Sequence, residues 1–383
     1  MSIFQPSDRS FVPPFYAMEI LKEANKLENS GTNVFHLEVG EPSAQPPPAV
    51  LKRAREIIDN GIPLKYTDAL GIVDLRKKIA EYYFSNYRVK VNFNNIAITN
   101  GSSPGFLLAL LASFNEGAKV GIGMPCYPAY RNMMLSIGIE PVEIRTSLDD
   151  RFQPTIKSIE NVGTLDGLLI ASPSNPSGTM IEEHRLNEII EFCEMNQIRL
   201  ISDEIYHGIT YDKKADTCVG KSNSAIVLNG FSKYFCMTGW RLGWVVVPDD
   251  LIGSIERLSQ NLFISTNSLS QLSSIAAFDD LEYCSSKVKE YSLNREILLN
   301  LFSKIGVDNF APVDGAFYIY ANISNLTNNS KDFCRKLLYD TGVAITPGID
   351  FDREIGSSYI RVSYASSKQV IYEASNKISD WLK

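Results

Sequence analysis

The chain has 383 residues, 44% of them hydrophobic and 21% charged, and its 37 basic and 44 acidic side chains leave a net charge of −7. That length allows two domains and a large core, and the acidic balance argues against a general nucleic-acid or anionic-membrane partner. The six cysteines (126, 193, 218, 236, 284 and 334) form no C-x-x-C pair, which speaks against a zinc or redox motif and suits a reducing compartment.

Residues 1–14 read as an irregular arm with prolines and charges but no apolar signal core, so a cytoplasmic location is expected. No stretch has the uninterrupted apolar length of a membrane span, and there is no repeat or low-complexity segment. Residues 15–27 have helical spacing, and 34–39 form a short strand ending in Gly40-Glu41-Pro42. Gly40 would let the backbone pass close to a ligand, or would serve a simple turn. Helices follow at 48–60, with Gly61 past the end, and at 75–83. A strand at 96–99 leads through Asn100-Gly101-Ser102-Ser103 into a helical run at 106–114. Small residues opening a helix expose N–H groups and hydroxyls that can seat a phosphate, although many such turns only cap a helix.

The strand 119–123 ends near Pro125-Cys126-Tyr127, and its Gly121-x-Gly123 lacks the third glycine of a dinucleotide fingerprint. Strand 167–171 runs into Asn175-Pro176-Ser177-Gly178, followed by a helix at 181–195. Strand 199–202 ends in Asp203-Glu204-Ile205-Tyr206. Strand 225–229 leads to Ser232-Lys233, and Arg241 stands before the strand 244–247. Alternating strands and helices imply a mostly parallel sheet sandwiched by helices, an α/β fold whose ligands sit beyond the strands' carboxyl ends. Ser102, Tyr127, Asn175, Asp203, Tyr206 and Lys233 all fall at such ends. A desolvated lysine there can lose its proton and attack a carbonyl carbon. An arginine nearby can hold a dianionic phosphate. Pyridoxal phosphate needs both, an imine partner and an anchor; the plain alternative is a surface loop with ordinary Lys and Arg.

The last part changes character. Helices at 251–260, 269–278 and 281–304 precede strands at 315–320, 343–347 and 359–364, which fit a smaller α+β domain. The expected division is an arm and part of the small domain at 1–44, a large cofactor-binding domain at 45–280, and a small domain at 281–383.

These motifs carry a resemblance. Gly40-Glu41-Pro42, Tyr66 with Gly71, Thr99-Asn100-Gly101, Pro125-x-Tyr127, Asn175-Pro176-Ser177-Gly178, Asp203-Glu204-Ile205-Tyr206, Ser232-Lys233 through Arg241-Leu242-Gly243, and Arg361-Val362-Ser363 occur in this order over nearly the whole chain. The chain resembles the class I and II aminotransferases, fold type I pyridoxal-phosphate enzymes. The resemblance implies that Lys233 holds the cofactor and then moves protons, and that Asp203 pairs with the pyridine nitrogen. It implies that Asn175 and Tyr206 hydrogen-bond the ring hydroxyl and that Tyr127 stacks on the ring. Gly101, Ser102, Ser103 and Arg241 would bind the phosphate, and Ser232 would be a further cofactor-binding residue. Gly40, Asn175 and Arg361 would meet the substrate, with Arg361 clamping its carboxylate. Tyr66 would reach the neighbouring subunit's phosphate, which implies a homodimer with shared sites. Expected substrates are an L-amino acid and a 2-oxo acid such as 2-oxoglutarate, with no metal.

Departures from the family pattern bear on the substrate. Gly230 stands where some members place a phosphate-binding serine, and Ser103 where some carry lysine. No arginine lies between Gln260 and Gln271, and Phe263 and Ile264 make that region apolar. This favours neutral or aromatic donors over aspartate. The arm with Phe11, Phe15 and Tyr16 is expected to help line the pocket. A carbon–sulfur lyase of the same fold would use the same lysine and arginine. A regulatory cofactor-binding protein would need an added DNA-binding module, for which residues 1–30 are too few and not basic. A nicotinamide dehydrogenase is disfavoured by the missing glycine, and a serine hydrolase by Tyr234 where G-x-S-x-G needs glycine.

Overall fold

The computed structural model describes residues 4–383; the first three residues of the arm lie outside the described residues. Its helices are α1 (Tyr16–Asn29), α2 (Pro48–Asp59), α3 (Val73–Tyr87), α4 (Ser102–Ser113), α5 (Pro128–Ser136), α6 (Ile156–Glu160), α7 (Glu183–Met195), α8 (Asp249–Leu262), α9 (Ser268–Ser274), α10 (Leu281–Lys304), α11 (Ser330–Thr341) and α12 (Lys368–Trp381). Its strands are β1 (Phe35–His36), β2 (Ile96–Thr99), β3 (Lys119–Met124), β4 (Glu140–Arg145), β5 (Gly167–Ala171), β6 (Arg199–Asp203), β7 (Ile226–Gly230), β8 (Gly243–Val246), β9 (Tyr318–Asn322), β10 (Val343–Ala344), β11 (Thr346–Pro347) and β12 (Tyr359–Ser363).

Seven strands form the central sheet in the order β2-β8-β7-β6-β5-β3-β4. Only β8 runs against the rest, pairing antiparallel with both β2 and β7. The central strands are continuous apolar runs because both faces are covered. Leu168, Ile170 and Leu200 pack on one face with Leu186 and Ile189 of α7. Leu169, Ile201 and Leu228 point to the other, against Leu108 of α4 and Ile255 of α8. The parallel strands therefore deliver their C-terminal residues to one edge.

The second unit combines a three-stranded antiparallel sheet, β11-β12-β9, with the parallel pair β1-β10. Its core joins Leu298 and Phe302 of α10, Leu337 of α11 and Ile371 of α12. The run expected as one strand at 343–347 is split: Val343 pairs with Phe35, while Thr346 pairs with Arg361. The expected strand at 34–39 is reduced to two residues for the same reason. The expected strand at 315–320 begins three residues later, since the N–H groups of Gly315 and Ala316 bond Gly178 and Ile209 instead. No helix of the described residues is long and apolar enough to cross a membrane.

Candidate active site

A cavity of about 280 Å³ opens at the C-terminal edge of the central sheet, between it and the smaller unit. Lys233 follows β7 and lines it, with Nζ donating to the Gly40 carbonyl at 2.6 Å. Burial holds the Lys233 ammonium down to about 8; Arg361 and Arg241 push the same way, and Glu41 and Asp203 oppose. Gly40 admits this approach because any side chain there would run into the Tyr318 hydroxyl.

Asp203 ends β6 and is buried at the cavity. One carboxylate oxygen accepts the Ile205 N–H at 3.0 Å and the other the Tyr130 hydroxyl. Burial pushes its pKa up to about 6, while Tyr130, Ile205 and Lys233 restrain the rise. Tyr206 lies one turn on, with its hydroxyl 2.8 Å from that of Tyr318. Asn175, in the turn between β5 and α7, accepts from Arg361 Nη1 at 2.9 Å. Arg361 is buried in β12; Nη2 donates to the Glu38 carbonyl and to Thr346, while Nε has no partner in the protein. The rings of Tyr318 and Phe351 flank its guanidinium at 4.6 and 4.7 Å.

Helix α4 starts at this edge with no capping side chain, leaving its first N–H groups available beside the Ser102 and Ser103 hydroxyls. Gly101 has φ of 90°, and a Cβ there would stand 2.7 Å from Arg241 Nη2. The glycine therefore lets the arginine reach the helix start. Ser232 is buried next to Lys233. Gly230 has no room for a serine without adjustment: a Cβ would meet Gly243 and Ile205 at 3.1 Å.

The structure thus gathers Gly40, Ser102, Ser103, Tyr127, Asn175, Asp203, Tyr206, Ser232, Lys233, Arg241 and Arg361 around one cavity, with Gly101 behind Arg241. Tyr66 stands apart, 81% exposed. The arm helps line the pocket as expected, through one of its aromatic residues. Of the three arm aromatics only Phe15 lines the cavity; Phe11 is 71% exposed and Tyr16 packs its ring against Lys331. Phe263 and Ile264 line no part of their own chain's cavity; Ile264 is 54% exposed, beside the Thr67–Ser265 hydrogen bond. Tyr130 was not legible as a site residue, although its spacing from Tyr127 places both at the start of α5.

These donors fit pyridoxal phosphate. Helix α4 presents an uncapped N-terminus with two hydroxyls and an arginine, and a buried carboxylate and an amine whose proton burial loosens share the cavity. Among the described residues no cluster of His, Cys, Asp and Glu could hold a metal ion.

Comparison with known proteins agrees. The family model for aminotransferase class I and II matches residues 32–378. Over 379 residues the chain is 42% identical to a valine–pyruvate aminotransferase of Mycobacterium tuberculosis, spanning 98% of this chain and 97% of that one. It is 37% identical over 375 residues to a (5-formylfuran-3-yl)methyl phosphate transaminase of Methanocaldococcus jannaschii, with 96% of each chain covered. Among solved structures, an aminotransferase from Mycobacterium tuberculosis matches with a TM-score of 0.96 at 42% identity over 99% of each chain. The aspartate aminotransferase of Thermus thermophilus with maleate matches at 0.92 and 25% identity, covering 99% of this chain and 100% of that one. The chain belongs to the aminotransferase class I and II family and is a pyridoxal-phosphate-dependent aminotransferase of fold type I.

Proposed function

We propose that the enzyme moves an amino group between a neutral or aromatic L-amino acid and a 2-oxo acid such as pyruvate or 2-oxoglutarate. The carrying observation is the supply of cations. Among the described residues, the basic ones lining the cavity are Lys233, Arg241 and Arg361. Arg361 is suited to the α-carboxylate, which both donor and acceptor possess, by two parallel hydrogen bonds. Arg241 with the start of α4 is suited to the cofactor phosphate, and Lys233 to the proton chemistry. No cation is left for a second carboxylate, and Glu41 adds a negative charge at the rim. The remaining wall includes Phe15, Met18, Phe106 and Met133. Burying an unpaired carboxylate there costs several kcal/mol, whereas an apolar side chain gains by burial. The valine donor named for the Mycobacterium tuberculosis relative supports the same reading; aspartate aminotransferases at 28% and 27% identity are more distant.

In this reading the roles divide as follows. Bound pyridoxal phosphate supplies an electron sink for the substrate α-carbon. Asp203 presents negative charge to the pyridine nitrogen, where a cationic partner would keep it ionised despite its raised pKa. Asn175 and Tyr206 would hydrogen-bond the ring hydroxyl, and Tyr127 would cover a ring face. Lys233, whose proton is weakly held, serves as the base at the α-carbon. Tyr66 and Ile264 are exposed on either side of the Thr67–Ser265 hydrogen bond, and we assign this face to a homodimer in which each subunit completes its partner's site. The division at residues 44 and 280 and a cytoplasmic location belong to the same proposal.

A donor panel tests it. With pyruvate and 2-oxoglutarate as acceptors, valine, leucine and phenylalanine should exceed aspartate in kcat/KM by about tenfold or more, the equivalent of about 1.4 kcal/mol. Aspartate as the best donor would sink the reading.

A further inference from the structure

We propose that Asp350 is a positioning residue that sets side-chain selectivity, by fixing the start of α1 and with it the wall formed by Phe15, Ala17 and Met18. The proposal rests on the reading that a donor's side chain lies against that wall.

Residue Phe15 occupies the N-cap of α1 and supplies no side-chain cap. The cap comes instead from 333 residues away. Asp350, 2% exposed, accepts the Tyr16 N–H on Oδ1 at 3.0 Å and the Ala17 N–H on Oδ2 at 3.1 Å. A carboxylate at a helix N-terminus satisfies two orphan donors and complements the dipole. These two amides lie within the wall segment: Phe15, Ala17 and Met18 all line the cavity. Each capped amide is thus one bond away from a residue that a substrate side chain would touch.

The carboxylate is itself anchored. Its loop also carries Phe351, packed on the Arg361 guanidinium at 4.7 Å, and Asp352, paired with Arg145 of β4 at 3.3 Å. On the other side, Pro13 accepts from Asn132 of α5 at 3.3 Å, and the Phe15 ring meets Tyr127 edge-on at 5.7 Å. Residues 13–18 therefore form a strap over the cavity. One end is tied to the large sheet's helix and the other to a carboxylate in the smaller unit. No hydrogen bond joins the strap to Lys233, Asp203, Asn175 or Arg361 among the described residues. Loss of the cap should therefore loosen the wall while leaving the reacting groups in place. Because Arg361 also feels the Asp350 charge, a modest loss common to all donors accompanies it.

The test is kcat/KM of the holoenzyme and of its Asp350→Ala and Asp350→Asn variants for alanine, valine, leucine and phenylalanine with one acceptor. In Asp350→Ala, alanine should lose less than about threefold and the two largest donors about tenfold or more, mostly in KM, in line with the worth of a helix cap. Asp350→Asn keeps one good acceptor and should fall between. Phe15→Ala should reproduce the same donor pattern with the cap intact. An equal loss for every donor, or no loss in folded variants, overturns the proposal. If Asp350→Ala does not fold, the Asn and Phe15 variants decide it by the same criterion. Should the wild type prefer aspartate, the neutral-donor reading falls separately. Asp350 is still judged by the variant-to-wild-type ratios across donors.

Discussion

Replacing Asp203 with asparagine should stabilise the cofactor-free protein while destroying its activity. The folded carboxyl has a pKa near 6, against an ordinary value of 3.8. The gap of about two pH units corresponds to about 3 kcal/mol. The sign follows from which form the fold prefers. A carboxyl raised on folding contributes its stability below pH 3.8 and loses it as pH climbs through 6, so the whole penalty is carried at pH 8. Asparagine removes that charge. Its amide oxygen can keep the Ile205 N–H, but its NH2 must face the Tyr130 hydroxyl, at a cost of about 1 kcal/mol. The net gain at pH 8 is about 2 kcal/mol, which for a chain of this size raises Tm by about 2–3 °C. At pH 4 the gain should vanish or reverse. In the loaded enzyme the same change removes the counter-charge to the pyridine nitrogen and should cut kcat about 100-fold or more. Calorimetry of the cofactor-free pair at pH 4, 6 and 8, with turnover of the loaded pair, reads both effects. A variant less stable at pH 8, a difference independent of pH, or near-normal turnover would refute the reasoning.

Arg361→Lys should lower kcat/KM for every donor and acceptor by a similar factor of about 10–100, because lysine cannot copy the two-pronged contact; steady-state kinetics with alanine and phenylalanine would show it, and a loss confined to one donor would contradict it. Mixing inactive Tyr66→Phe and Lys233→Ala subunits should restore activity in verified hybrids, since one site then has both native residues. Hybrids as inactive as their parents would mean that Tyr66 serves no partner site.

Most of the central sheet is legible in the chain because its strands are apolar on both faces and end in punctuating Gly, Pro and Asn residues. Strand β4 is not: it is an edge strand whose Glu140, Pro141, Glu143 and Arg145 break any apolar run. Helix α5, only nine residues long and opened by Pro128, is equally quiet, and Tyr130 carries no signal of its own within it. The smaller unit reads less well because its strands are two to five residues long and switch partners at Ile345. Within the site, residues at strand ends announce themselves by position. The pocket wall does not, since Phe11, Phe15 and Tyr16 look alike until α1 is placed and capped by Asp350. Contacts such as Tyr206 with Tyr318, or Glu41 with Thr238, join segments far apart in the chain and carry no local signal. In the proposed homodimer, what completes the face around Tyr66 would come from another copy of the chain, which no local sequence signal describes.

Borohydride reduction of the cofactor-loaded enzyme, followed by peptide mapping, tests the central assignment most directly. Among the described residues, Lys233 alone combines a depressed pKa, a place at the end of β7 and a cavity shared with Asp203 and Arg241. The pyridoxyl group should therefore be recovered on Nζ of Lys233, in the peptide spanning Ser232 to Arg241. Recovery on any other lysine, or no fixed label on an active enzyme, would contradict the account.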